Sequence, residues 1–323
     1  MLSRHFLRCK SLQALYAGVT SEAATVDEVL KIFDYNVVKL NELGVLQMST
    51  LPHLTFACEK IMEASMQKFN PNESEKNPSR RFVDNRVIKT IEECDEFKTL
   101  SNRMKIDWSN YFDTFRRIYN TLKENKQYKQ YMSAEVCGWE DDQAIALVAF
   151  KALMCDETLR AAIYDRDLIW EDDFDQIAQY NYMMLKDITE NDDSLTLCPQ
   201  VFDMRNEKDK ADYNFARKLT QDTFNRLDDT EPLIRKHLNN WEMERVALMD
   251  ILLINMAVTE FTCCPSIPER VTVDEYIELS KEFSTEKSKL FINGILDKLL
   301  IELRVAGKIE KDERGMYDPN IEE

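Results

Sequence analysis

The sequence is short of the residues that build tight turns and metal sites. Among 323 residues there are 6 glycines, 8 prolines and 3 histidines. So few turn formers argue against an all-β architecture. Neither G-x-G-x-x-G nor G-x-x-x-x-G-K-S/T occurs, which removes the glycine-loop nucleotide folds. C-x-x-C is absent, and none of His5, His53 and His237 follows a Glu by three residues, so zinc-finger and di-iron bundle patterns are missing. There is no H-E-x-x-H and no G-x-S-x-G. No enzyme constellation emerges, and no cofactor or metal is implied. No apolar run approaches the ~18–20 residues of a membrane span. The eight cysteines come without the short length or export signal of a disulfide scaffold, and they read as reduced thiols of a cytoplasmic protein.

What is there is a core and a great deal of negative charge. Apolar residues make up 44% and aromatics 10%, enough to bury an interior. The net charge is −17, from 42 basic and 59 acidic residues. The charge is segregated. Residues 140–193 hold 15 acids and 4 bases, with Asp172, Asp173 and Asp175 expected on a solvated face. Residues 1–20 hold Arg4, Arg8 and Lys10 and no acid. An arginine-bearing amphipathic start also describes a mitochondrial transit peptide, the alternative to a helix retained in the fold.

Apolar residues recur at helical spacing nearly everywhere. Val29, Ile32, Phe33, Val37, Leu40 and Leu43 stripe one helix, and Thr25 with Glu28 forms a capping-box pattern at its start. Another helix is expected over 56–69, after Pro52. NPNESEKNPSR at 70–80 reads as a surface loop. Five more helical segments follow from 211 onward, one of them opening with a second capping-box pattern at Thr272 and Glu275. No alternating strand pattern stands out, so the class is all-α. A second basic cluster, Lys281, Lys287 and Lys289, precedes Phe291 and Asn293. Bases beside an aromatic and an amide suit single-stranded RNA, through phosphate contact, stacking and base-edge hydrogen bonds.

The segment RHFLRCKSLQALY resembles the arginine-bearing, Q-A-L-Y start of the NusB family. MDILLINMAVTEF, IPERVTVDEYIELSKEF and KSKLFINGILDKLL resemble that family's last helices in order and spacing. The resemblance covers residues 1–20 and about 211–305. The stretch between them, with FVDNR at 82–86 and WSN at 108–110, looks like the long form found in Bacteroidetes bacteria. It implies an all-helical bundle of two subdomains carrying a large helical insertion. The expected division is 1–70 for the N-terminal helices, 71–205 for an acidic insertion, 206–310 for the C-terminal helical domain, and 311–323 for a flexible tail.

The resemblance also implies a function. It points to a transcription antitermination factor that binds boxA RNA of ribosomal leader transcripts, as a heterodimer with the ribosomal protein NusE, at the RNA polymerase elongation complex. Some relatives form homodimers. The residues that match the family's RNA-binding positions are Arg4, His5, Arg8, Gln13, Lys287, Ser288, Phe291 and Asn293. Tyr16 and Asp250 match partner-binding positions. Gly294, in F-I-N-G, is expected to permit close helix packing. An alternative is a helical protein-interaction factor of the transcription machinery without RNA binding. A second alternative, an RNA cytosine methyltransferase, would need a glycine-rich methyl-donor loop, and none is present.

Overall fold

The computed structural model describes residues 4–21, 25–70, 73–190, 201–238 and 246–316. Among them every regular element is helical. The order is α1 Arg4–Thr20, α2 Val26–Met48, α3 Thr50–Met66, α4 Glu73–Lys76, α5 Arg86–Glu93, α6 Asp95–Arg103, α7 Phe112–Glu124 and α8 Lys126–Ser133. It continues with α9 Trp139–Met154, α10 Glu157–Tyr164, α11 Phe174–Asp187 and α12 Glu207–Asn225. The last four are α13 Leu227–His237, α14 Leu248–Cys263, α15 Glu269–Phe283 and α16 Glu286–Val305. No helix among the described residues is long and apolar enough to cross a membrane.

The chain divides into two compact units, residues 38–202 and residues 2–37 with 203–323. The division at 37/38 falls inside α2, whereas the sequence places a boundary at 70/71. Helix α2 runs through the division without interruption, and its apolar stripe carries no proline or glycine there to mark it.

In the unit formed by 2–37 and 203–323, α14 is the core. Every residue from Leu252 to Phe261 is buried. A helix apolar on all sides must be surrounded, and α1, α12, α13, α15 and α16 all pack against it. In the unit 38–202, α9 plays that part. Ile145, Ala146, Ala149, Phe150 and Leu153 are buried, with α3, α5, α7 and α11 against them.

The local signals have mixed outcomes. Thr25 and Glu28 form the expected capping box, with the Thr25 N–H donating to Glu28 at 2.8 Å and the Glu28 N–H to Thr25 Oγ1 at 3.3 Å. Thr272 and Glu275 do not. Helix α15 begins earlier, at Glu269 after Pro268, so Thr272 lies inside it and is buried. The helix expected after Pro52 begins at Thr50, and Pro52 sits in its first turn, where its missing N–H is no loss. Within 70–80, Glu73–Lys76 forms one helical turn. Asp173 is buried, whereas Asp172 and Asp175 are exposed, so the acidic face is not continuous.

The two motifs of the middle segment are structural. In FVDNR, Asn85 caps α5 through Ile88 N–H at 3.1 Å and donates to the Asp142 carbonyl at 2.8 Å. Arg86 Nε donates to the Asp142 carboxylate at 2.6 Å, which also accepts from the Tyr131 hydroxyl at 2.6 Å. In WSN, buried Trp108 donates from Nε1 to Ser49 Oγ at 2.8 Å. It also lines an apolar groove of about 510 Å³ with His53, Phe56, Phe112 and Phe115.

Candidate nucleic-acid interface

Helix α1 is not a one-sided amphipathic helix. Arg8, Lys10 and Ser11 are buried along with Leu7, Leu12 and Leu15. Arg8 is 2% exposed and forms a two-pronged ion pair with Glu260 of α14. Its Nε and Nη2 each donate at 2.8 Å, and Nη1 reaches Glu275 at 3.3 Å. Glu260, itself 0% exposed, also accepts from Thr272 Oγ1 at 3.0 Å and Tyr276 Oη at 3.2 Å. Burial and the Glu260 charge hold the Tyr276 phenol well above its ordinary pKa. A buried carboxylate is tolerated only when paired and hydrogen-bonded, and every contact here serves that end. Arg8 is therefore an interior residue, unavailable to RNA at the surface. Lys10 is buried too, with its Nζ donating to Gln13 at 2.9 Å and lying 5.2 Å from the Phe6 ring centroid. Gln13 thus accepts from within its own helix.

Arg4 and His5 sit nearer solvent, and both face acids. Arg4 Nε is 2.6 Å from Asp212 of α12, with its guanidinium 4.9 Å over the Phe215 ring. His5 lies between two carboxylates of α15, Nδ1 at 2.9 Å from Glu275 and Nε2 at 3.1 Å from Glu282. The Cys9 thiol, Glu275 and Glu282 together hold the imidazole charged, raising its pKa to about 11 against the cost of burial. The basic start of the chain is largely neutralised from within.

At the start of α16 the picture differs. Thr285 caps the helix, its Oγ1 accepting from Ser288 N–H at 3.3 Å. Asp250 of α14 is buried there and accepts from Ser284 Oγ at 2.5 Å and Ser288 Oγ at 2.8 Å. The structure thus joins two residues that the sequence assigns to different partners, and both are spent on holding α14 to α16. Lys287 is exposed and Lys289 half-buried, and Lys281 with Lys289 lowers the pKa of the Glu278 carboxyl. One turn further, Phe291 and Asn293 are half-buried, and Leu290 is 75% exposed. A Cβ on Gly294 would meet nothing within 4 Å. The glycine is not needed for packing, contrary to the expectation for F-I-N-G. Tyr16 is 41% exposed on α1.

These positions can be compared with known proteins. The NusB family model matches residues 174–300, from the start of α11 into α16. The chain is 36% identical over 110 residues to the transcription antitermination protein NusB of Salinibacter ruber, covering 34% of this chain and 69% of that protein. It is 40% identical over 100 residues to the protein of the same name in Desulfatibacillum aliphaticivorans, covering 31% and 68%. This chain belongs to the NusB family. A third relative, from Chloroherpeton thalassium, is 35% identical over 105 residues, of which the chain spans half the length. No solved structure matches. The NusB family is one of non-enzymatic factors. The family match begins at residue 174, so α1 lies outside it and rests on the Q-A-L-Y resemblance. The buried Arg8–Glu260 pair ties that helix to the matched part.

Three of the residues described here could not be assigned from sequence alone. Glu260, Asp212 and Glu282 are the acids that neutralise the basic start. One signal for Glu260 is visible: an acid inside the apolar run MDILLINMAVTEF calls for a buried partner, which the sequence does not identify.

Proposed function

We propose that this NusB-family chain is a transcription antitermination factor that binds boxA-type single-stranded RNA through the start of α16, as a heterodimer with NusE at the RNA polymerase elongation complex. The observation that carries the reading is the pair of lysines at the start of α16, Lys287 exposed one helical turn before Phe291 and Lys289 half-buried one turn before Asn293. Phosphate contact, stacking and amide hydrogen bonding are thus offered from two adjacent turns of one helix. Arg4, half-exposed over Phe215, adds a third positive group, on condition that RNA competes with Asp212 for it. Three phosphates neutralised on a single strand give a log-log salt slope of about −2. Tyr16 is the exposed aromatic offered to the protein partner.

Titration of a labelled boxA RNA tests this reading. The double variant Lys287→Ala/Lys289→Ala is expected to weaken binding and to flatten the salt slope by about 0.7 per lysine removed. An unchanged slope would place the RNA elsewhere or nowhere. A second reading, a protein-interaction factor without RNA binding, is favoured by one observation: Arg4, His5 and Arg8 are each paired with an acid of this chain.

A further inference from the structure

We propose that His5, Cys9 and Glu282 form a binding site for a single zinc ion, with Glu275 orienting the histidine. His5 and Cys9 are four residues apart on α1, so their side chains share one face of the helix. Glu282 arrives from the last turn of α15. One donor atom from each lies within 4.8 Å of the others. His5 Nε2 is 3.1 Å from Glu282 Oε1, and Cys9 Sγ is 3.8 Å from Glu282 Oε2. In tetrahedral coordination, zinc bonds of ~2.0 Å to nitrogen or oxygen and ~2.3 Å to sulfur place neighbouring donors about 3.3–3.7 Å apart. The two separations that involve Glu282 bracket that range.

A second, independent observation concerns the far side of the imidazole. Nδ1 lies 2.9 Å from Glu275 Oε2. A ligating histidine almost always gives its second N–H to a carboxylate, which fixes the tautomer and aims the other nitrogen at the metal. Charge also fits. Binding displaces the Cys9 thiol proton and the proton on His5 Nε2 to solvent, and the resulting thiolate and the Glu282 carboxylate bring two negative charges, which a divalent cation balances where Cys9 is only 4% exposed. Magnesium and calcium take oxygen donors, whereas a set of nitrogen, sulfur and oxygen selects zinc. Glu282 reaches solvent, so water completes the coordination on that side. The site uses none of the groups at the start of α16 through which RNA is proposed to bind, although the family resemblance assigns His5 to RNA.

The test uses the full chain, stripped with chelator and titrated with cobalt(II) as the spectroscopic stand-in, then with zinc. The expected result is a thiolate-to-cobalt charge-transfer band with tetrahedral visible bands, saturating at one equivalent and displaced by zinc. Cys9→Ser removes the charge-transfer band although seven other cysteines remain. Glu282→Gln, at an exposed position in the last turn of α15, weakens binding at least about tenfold, and Glu275→Gln does so by about 10–100-fold. These two variants decide the matter if Cys9→Ser fails to fold. The proposal is overturned by the absence of a charge-transfer band in the parent chain. It is equally overturned if band and affinity survive unchanged in Glu282→Gln and Glu275→Gln.

Discussion

A charge buried with its partner destabilises the fold strongly once one of the two is removed. Arg8 and Glu260 are in that position, and replacing Arg8 by Ala leaves Glu260 uncompensated in the middle of α14. Arg8→Ala is expected to lose about 3–5 kcal/mol of stability in urea unfolding. Arg4→Ala breaks a half-exposed pair and is expected to lose no more than about 1 kcal/mol. Equal effects of the two substitutions would contradict the burial described for Arg8. The contrast has a practical side: Arg8→Ala reports on folding, so RNA binding is to be probed with Lys287 and Lys289. At this scale the sequence was only partly legible. It shows that the first helix bears arginines, but not that they turn inward. That depends on acids more than two hundred residues away, which only the fold brings near.

Helix ends show where local rules suffice. The capping box at Thr25 and Glu28 forms because both partners lie within one turn, and nothing else claims them. The same spacing at Thr272 and Glu275 fails because α15 already starts at Glu269, and Thr272, inside the helix, gives its hydroxyl to Glu260 while Glu275 faces His5. At the start of α16, Asp250→Ala removes the acceptor of two serine hydroxyls and is expected to cost about 1–3 kcal/mol, read as a lowered melting temperature. An unchanged melting temperature would mean that Asp250 is free for a partner. Gly294 offers the opposite case. It is a helical glycine with open space around its Cα, so Gly294→Ala is expected to stabilise by about 0.5–1 kcal/mol. A stabilised variant that loses RNA affinity would show that the ligand approaches the backbone at that turn.

Across the whole molecule, an all-helical class follows from apolar periodicity and scarce turn residues, and the family from motifs at both ends of the chain. The division into units is less legible, because a boundary inside continuous α2 leaves no mark in composition. Charge is distributed unevenly between the units. The acid-rich stretch 140–193 belongs to the unit 38–202, whereas the lysines at 287 and 289 belong to the other. On the proposed reading, RNA affinity depends on the protein partner. Fluorescence anisotropy of a labelled boxA RNA, titrated with this chain alone and then with its NusE heterodimer, tests that dependence most directly. Saturable binding that tightens with NusE and fades with salt is the predicted result. A formed heterodimer and a folded chain that leave the RNA unbound would contradict it.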